Sequence, residues 1–230
     1  MGVMTRSTLV AAALNEAGNT SLTTLANGWL NDWLDSVAAG WPWPQIQRRI
    51  AGVALATATQ SLSFGNGSAG VALRVLRVID PIWVYASDYS VKRRARVLPI
   101  HQSNMAWDES IHDPTTNIGI PAQFKVRADT STLFKWSLIP TPVPDRALLL
   151  AIDYLCIPAQ LTASGDVPWY PNDRTIRQAI KCGALNYMKK KDELQVERDI
   201  LRSYVTEDKV KYGEVPGTND QLGLDPSVFG

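Results

Sequence analysis

The sequence is poor in the residues that most active sites use. It holds two histidines, His101 and His112, and two cysteines, Cys156 and Cys182, in 230 residues. Zinc sites need Cys or His a few residues apart in paired clusters, and no such spacing occurs. His101 and His112 stand near Asp108, Glu109 and Asp113. That grouping admits a metal or acid–base reading, but a loop with solvated polar groups accounts for it better. There is no Gly-x-Ser-x-Gly elbow and no legible Cys–His pair. The expectation is therefore a chain with no catalytic residues, no metal and no cofactor. Charge of one sign is also missing: 23 Lys+Arg face 22 Asp+Glu. A polyanion binder usually shows a basic excess, so only a local patch remains open. No apolar run approaches the roughly 20 residues that span a bilayer. Asn15 and Glu16 interrupt the apolar stretch 9–14, unlike the core of a signal peptide. The reading is of a protein made and kept in a cytoplasm, with no membrane partner. There the two cysteines are expected as buried thiols.

What is present is hydrophobic periodicity. Leu9, Val10, Ala13 and Leu14 predict a first helix, with Thr5 or Ser7 as cap and Gly18 as stop. Leu22, Leu25, Ala26, Trp29, Leu30, Trp33, Leu34 and Val37 predict a second. Trp41-Pro42-Trp43-Pro44 ends it, because the residue before proline is pushed out of helical geometry. The stretch 45–60 reads as one more short helix. The middle reads as β structure, with strands expected near 61–64, 71–79, 82–89, 94–98, 122–127, 133–139 and 147–156. Gly65-Asn66-Gly67-Ser68-Ala69-Gly70 lacks the Lys-Ser/Thr of a phosphate loop and reads as a hairpin tip between two of them. In the last third, Asn172 is a cap before the stripe Ile176, Ala179, Ile180, Gly183, Ala184, Tyr187 and Met188. After a turn near 189–192, Leu194, Val196, Ile200, Leu201, Tyr204, Val205 and Val210 continue as helix.

The expected fold class is α+β: a helical bundle built from N- and C-terminal helices with an inserted antiparallel β-domain. The expected divisions are 1–60 and 158–212 for the two helical parts, 61–157 for the β-domain, and 213–230 for an extended C-terminal arm.

Two surface features stand out. Trp41 and Trp43 flank a proline and serve either as a core plug or as intersubunit anchors, since tryptophan is enriched at hot spots. Lys92, Arg93, Arg94 and Arg96 form the densest charge run. They read as a solvated strand edge, or as contacts to a subunit, a partner or DNA phosphates.

A series of motifs then resembles the tailed-phage head-to-tail adaptors that dock on the portal. It runs Leu14-Asn15-Glu16-Ala17-Gly18, Trp41-Pro42-Trp43, Leu98-Pro99-Ile100 and Gly119-Ile120-Pro121-Ala122-Gln123-Phe124. It continues with Leu138-Ile139-Pro140-Thr141-Pro142 before Pro144-Asp145, Ile152-Asp153-Tyr154-Leu155 with Pro158, and Ala184-Leu185-Asn186-Tyr187 with Asp192. Their order, across residues 7–212, carries the likeness.

The resemblance implies a non-enzymatic structural protein of the virion neck, assembled in the host cytoplasm. It implies a homo-oligomeric ring of about twelve copies beneath the portal protein. That ring would offer a platform to downstream tail or nozzle proteins. It would also form a channel for DNA passage and ejection without sequence specificity. Under this reading Leu222, Leu224, Val228 and Phe229 anchor a portal-docking arm. The rival readings are another neck protein, a stopper or tail-completion protein, and an enzyme with an unrecognised site.

Overall fold

The computed structural model describes residues 4–71, 73–88, 90–98, 117–128 and 132–213. The chain divides into two compact units, residues 1–46 with 158–230, and residues 47–157.

The first unit is helical. α1 (Arg6–Glu16) buries Leu9, Val10, Ala13 and Leu14. Gly18 follows at φ +76, a left-handed turn that favours glycine. α2 (Thr23–Gly40) buries Ala26, Leu30, Leu34, Val37 and Ala38, one stripe of the predicted face. α3 (Asp173–Tyr187) starts at Asn172, whose side chain accepts the Arg174 N–H at 3.1 Å. It is the central helix, packed against α1, α2 and the last helix, α4 (Lys191–Tyr212). Gly183 of α3 lets α2 come close: a Cβ there would lie 2.9 Å from the Trp29 ring. Lys189, at φ 59, makes the turn between α3 and α4.

The second unit is a sheet of seven strands. They are β1 (Gln47–Leu55), β2 (Leu62–Phe64), β3 (Arg74–Tyr85), β4 (Lys92–Leu98), β6 (Gln123–Ala128), β7 (Trp136–Thr141) and β9 (Leu148–Ile157). Their order is β1-β9-β3-β4-β6-β7-β2. The short β5 (Ile118–Gly119) and β8 (Val143–Pro144) pair separately. The sheet curls until it is nearly closed and barrel-like. Its interior holds Val53, Leu55, Phe64, Val75, Ile82, Val84, Phe124, Leu138, Leu150 and Ile152. The end strands β1 and β2 do not pair; Ile50, Gly52, Leu62 and Ala69 line the gap.

This overturns the expected fold class. The chain is not a helical bundle carrying an inserted antiparallel β-domain. It is β-rich, with 32% strand beside 39% helix, and its main sheet is mixed. β4 and β6 run parallel, as do β5 and β8. The β-unit also begins at Gln47, so the stretch expected as a short helix is β1. β1 pairs along its length with β9, a run of apolar residues buried through much of its length. That long-range pairing outweighs local propensity. Gly52, at φ +79, occupies the bulge between Ala51 and Val53.

The glycine-rich stretch folds back on itself, with the Asn66 N–H on the Leu73 carbonyl and the Gly67 N–H on the Val71 carbonyl, but the strands it joins do not pair with each other. β2 pairs with β7, whereas β3 pairs with β9 and β4. The loop therefore carries the chain from one end of the sheet to its middle. Its turn chemistry is present, with positive φ at Gly65, Asn66, Gly67, Ala69 and Gly70. An Asn-Gly signal identifies the turn but not the partners of its flanking strands. Finally, the strands expected at 71–79 and 82–89 are one strand, β3, with a register shift between Ile79 and Trp83, around Pro81.

Candidate interaction surfaces

The basic run lies on β4, and alternation divides it. Lys92, Arg94 and Arg96 share one face, while Arg93 falls on the side of Ala95, which is fully buried. All four cations are exposed. The four therefore do not act as one patch. Lys92 and Arg94 are brought together by Trp83 on the neighbouring strand. Their charged groups sit 5.4 and 4.6 Å from its ring, within cation–π range.

Pairing across the sheet extends this cluster into a groove on the outer face. Ala51 of β1 stands opposite Ala151 of β9, Ala151 opposite Trp83 of β3, and Trp83 opposite Arg94 of β4. Two alanines thus form the floor and an aromatic ring with its cations forms one wall. Tyr85 stands opposite Lys92, and its hydroxyl accepts the Gly52 N–H at 2.8 Å. Arg49 closes the other side, 3.9 Å from Asp153. The hollow encloses about 240 Å³. Trp83, Tyr85 and Arg49 were not singled out from sequence. The signal was there in the alternation of Trp83 and Tyr85, but only the strand order places Arg49 and the alanines beside them.

The tryptophans of the helical unit separate. Trp43 is 0% exposed and donates its indole N–H to the Val37 carbonyl at 3.1 Å. It meets Tyr170 edge-on at 5.0 Å, and Tyr170 also meets Trp33 at 4.9 Å. This is packing inside the unit, so a surface anchor rests on Trp41 alone. Trp41 is half-buried, with the Lys209 ammonium 4.9 Å from its ring. Gly213 lies against it: a Cβ there would approach the Trp41 Nε1 to 2.6 Å.

Below that cluster sits a charge that sequence reasoning missed. Asp208 of α4 is 3% exposed. Its carboxylate accepts from the Tyr170 hydroxyl at 2.9 Å, Asn172 Nδ2 at 2.7 Å and the Thr175 hydroxyl at 2.6 Å. Burial, and next the Asp208 charge, raise the Tyr170 phenol far above its ordinary range, so it remains a donor. The rest of α4 is thinly covered. Of its 22 residues only Leu194 and Asp208 are buried, while Val196 and Val210 are 60% and 76% exposed.

Cys156 and Cys182 are both buried cysteines. Burial raises both thiols, Cys182 to about 11, against nucleophilic behaviour at neutral pH. Among the described residues no group of three or more His, Cys, Asp or Glu is placed to hold a metal, and no helix is long and apolar enough to cross a membrane. His101, His112, Asp108, Glu109 and Asp113 lie outside the described residues, as do the arm residues Leu222, Leu224, Val228 and Phe229. No family model matches the chain, and no curated protein matches it significantly.

Proposed function

We propose that this chain is a structural adaptor of a tailed-phage neck, forming a ring on the portal and joining it to the tail. The fold class lends this no weight, because the sheet is mixed and barrel-like where an antiparallel insert was expected. The support comes from the ordered motifs over residues 7–212 and from the exposed surface of α4. That exposure is the observation that carries the reading. Val196 and Val210 are fourteen positions apart, within about 40° of four whole turns, and so lie on the same side of the helix about 21 Å apart. A soluble chain gains nothing from holding two valines in line on a face it leaves uncovered. A ring in which each copy lays another element on that face uses them. Passage of DNA through such a ring needs no sequence-reading groups, in keeping with a net charge of +1.

The test is co-expression with the portal protein of the same particle, followed by negative-stain imaging. The expected result is a second ring on the portal, lost when Val196→Glu and Val210→Glu are combined. The double variant should remain folded, since neither side chain is packed. Bare portals at every ratio of the two proteins would overturn the proposal. A stopper or tail-completion protein would instead bind only after another ring was in place.

A further inference from the structure

We propose that the outer groove of the β-unit receives the acidic segment 214–230 of a second copy of this chain. The groove presents Arg49 and Lys92 around the alanine floor, with Trp83 and Tyr85 as walls, and Arg94 stands beside it over the Trp83 ring. The Arg94 guanidinium sits 4.6 Å from the Trp83 ring centre, and its side chain is exposed. Among the described residues no carboxylate forms an ion pair with Lys92 or Arg94, and the Arg49–Asp153 pair is long at 3.9 Å. Lys92 and Arg94 are therefore positioned cations with no carboxylate partner among the described residues, and Arg49 is held only loosely by Asp153.

The chain itself holds the complement. Residues 214–230 carry Glu214, Asp220 and Asp225, and no lysine or arginine. Around the two aspartates stand Leu222 and Leu224, suited to a shallow floor of alanines and an aromatic wall. The segment follows α4 and, at about 3.3–3.6 Å per residue when extended, reaches more than 50 Å, far enough to leave its own copy. Groove and segment are different surfaces of one chain, so joining them between copies is head-to-tail. A contact of that kind generates a ring when its rotation closes.

A nucleic acid is the other polyanion to weigh. Its bases would need a free aromatic face, and the Trp83 ring already carries two cations. Carboxylates need only the edges of those cations, so the acidic peptide fits the observed geometry better. The inference does not depend on the phage reading; it requires only two copies of the chain.

Zero-length carbodiimide cross-linking tests it. Full-length protein labelled with ¹⁵N is mixed with unlabelled protein, coupled, digested and mapped by mass spectrometry. The expected product joins Lys92 to Asp220 or Asp225 in mixed-isotope pairs. It should disappear at high salt and fall at least tenfold in Arg94→Glu, but persist in Lys189→Glu, an exposed charge change on the helical unit. Reversing the segment as well, Asp225→Arg with Arg94→Glu, should restore association measured by sedimentation. Circular dichroism of each variant verifies folding. Absence of Lys92 products while other lysines couple, or same-isotope pairs alone, would overturn the proposal. So would Arg94-dependent binding of a single-stranded oligonucleotide in place of the cross-link.

Discussion

Asp208 should be the most costly single side chain to remove from α4. Its carboxylate accepts three neutral donors, Tyr170, Asn172 and Thr175. Tyr170 and Thr175 are 2% and 0% exposed, so neither hydroxyl finds water when the acceptor goes. A buried donor left unsatisfied costs about 1–3 kcal/mol. Asn172 is half-buried and recovers part of its loss from solvent. Two full penalties and one partial one give about 3–5 kcal/mol for Asp208→Ala. Asp208→Asn keeps one acceptor oxygen and should cost about half as much. Thr175→Val removes a single donor and leaves the carboxylate two others, for about 1 kcal/mol.

Urea unfolding followed by the helical signal gives these differences from the shift in midpoint at constant slope. Hydrogen exchange should localise the effect, because Leu194 is the only other buried residue of α4. Amides in the second half of the helix should lose protection in Asp208→Ala while those of α3 keep theirs. The reasoning is refuted if Asp208→Ala lies within 0.5 kcal/mol of the parent protein, or if asparagine is as costly as alanine.

Gly183→Ala should place a methyl group against the Trp29 ring at 2.9 Å and destabilise by about 1–3 kcal/mol, read as a lowered Tm. Glu197 is held below its ordinary value of 4.5, first by the hydrogen bond from Lys181 and then by that from Gln178. A depressed folded pKa stabilises above the unfolded value and is lost as pH falls through the folded one. Stability should therefore fall below about pH 4.5 with a contribution that Glu197→Gln abolishes, as a pH series of urea midpoints would reveal.

Local pattern gave much of the helical unit away. The buried stripe of α2, the Asn172 cap and the break near Lys189 are all properties of short windows of sequence. The β-unit was legible only in part. Stretches rich in branched residues identified β3, β6, β7 and β9, but nothing local tells which strand lies beside which. The Asn66-Gly67 turn supported a hairpin that the long-range pairings of β2 and β3 do not form. The same blindness hid the groove, since Ala51, Ala151, Trp83 and Arg94 come from four strands spread over a hundred residues and meet only through register. Asp208 was invisible for a different reason. An aspartate late in a helix reads as a solvated charge until Tyr170 and Thr175 are known to lie under it.

The exposed and buried positions of α4 divide two kinds of work. Sequence periodicity assigned Leu194, Val196, Ile200, Leu201, Tyr204, Val205 and Val210 to one apolar run, too wide for one face against a single neighbour. Among the described elements α3 is the one that packs closely along this helix, and it covers the side that carries Leu194 and Asp208. Leu201 still packs against the cluster of Cys182, Leu185 and Leu194, but Val196 and Val210 stand two residues on from Leu194 and Asp208, about 200° round the helix, and face away from α3. Burying a valine contributes about 1.5 kcal/mol or more, and that gain is absent at Val196 and Val210 in the single chain. It becomes available when another surface covers them. The helix is thus held by the Asp208 carboxylate, by Leu194 with Leu201 beside it, and by Glu197 on Gln178 and Lys181, none of which uses the two exposed valines. Its attachment and its display use different residues, so losses at Asp208 should appear in stability and losses at the two valines in assembly.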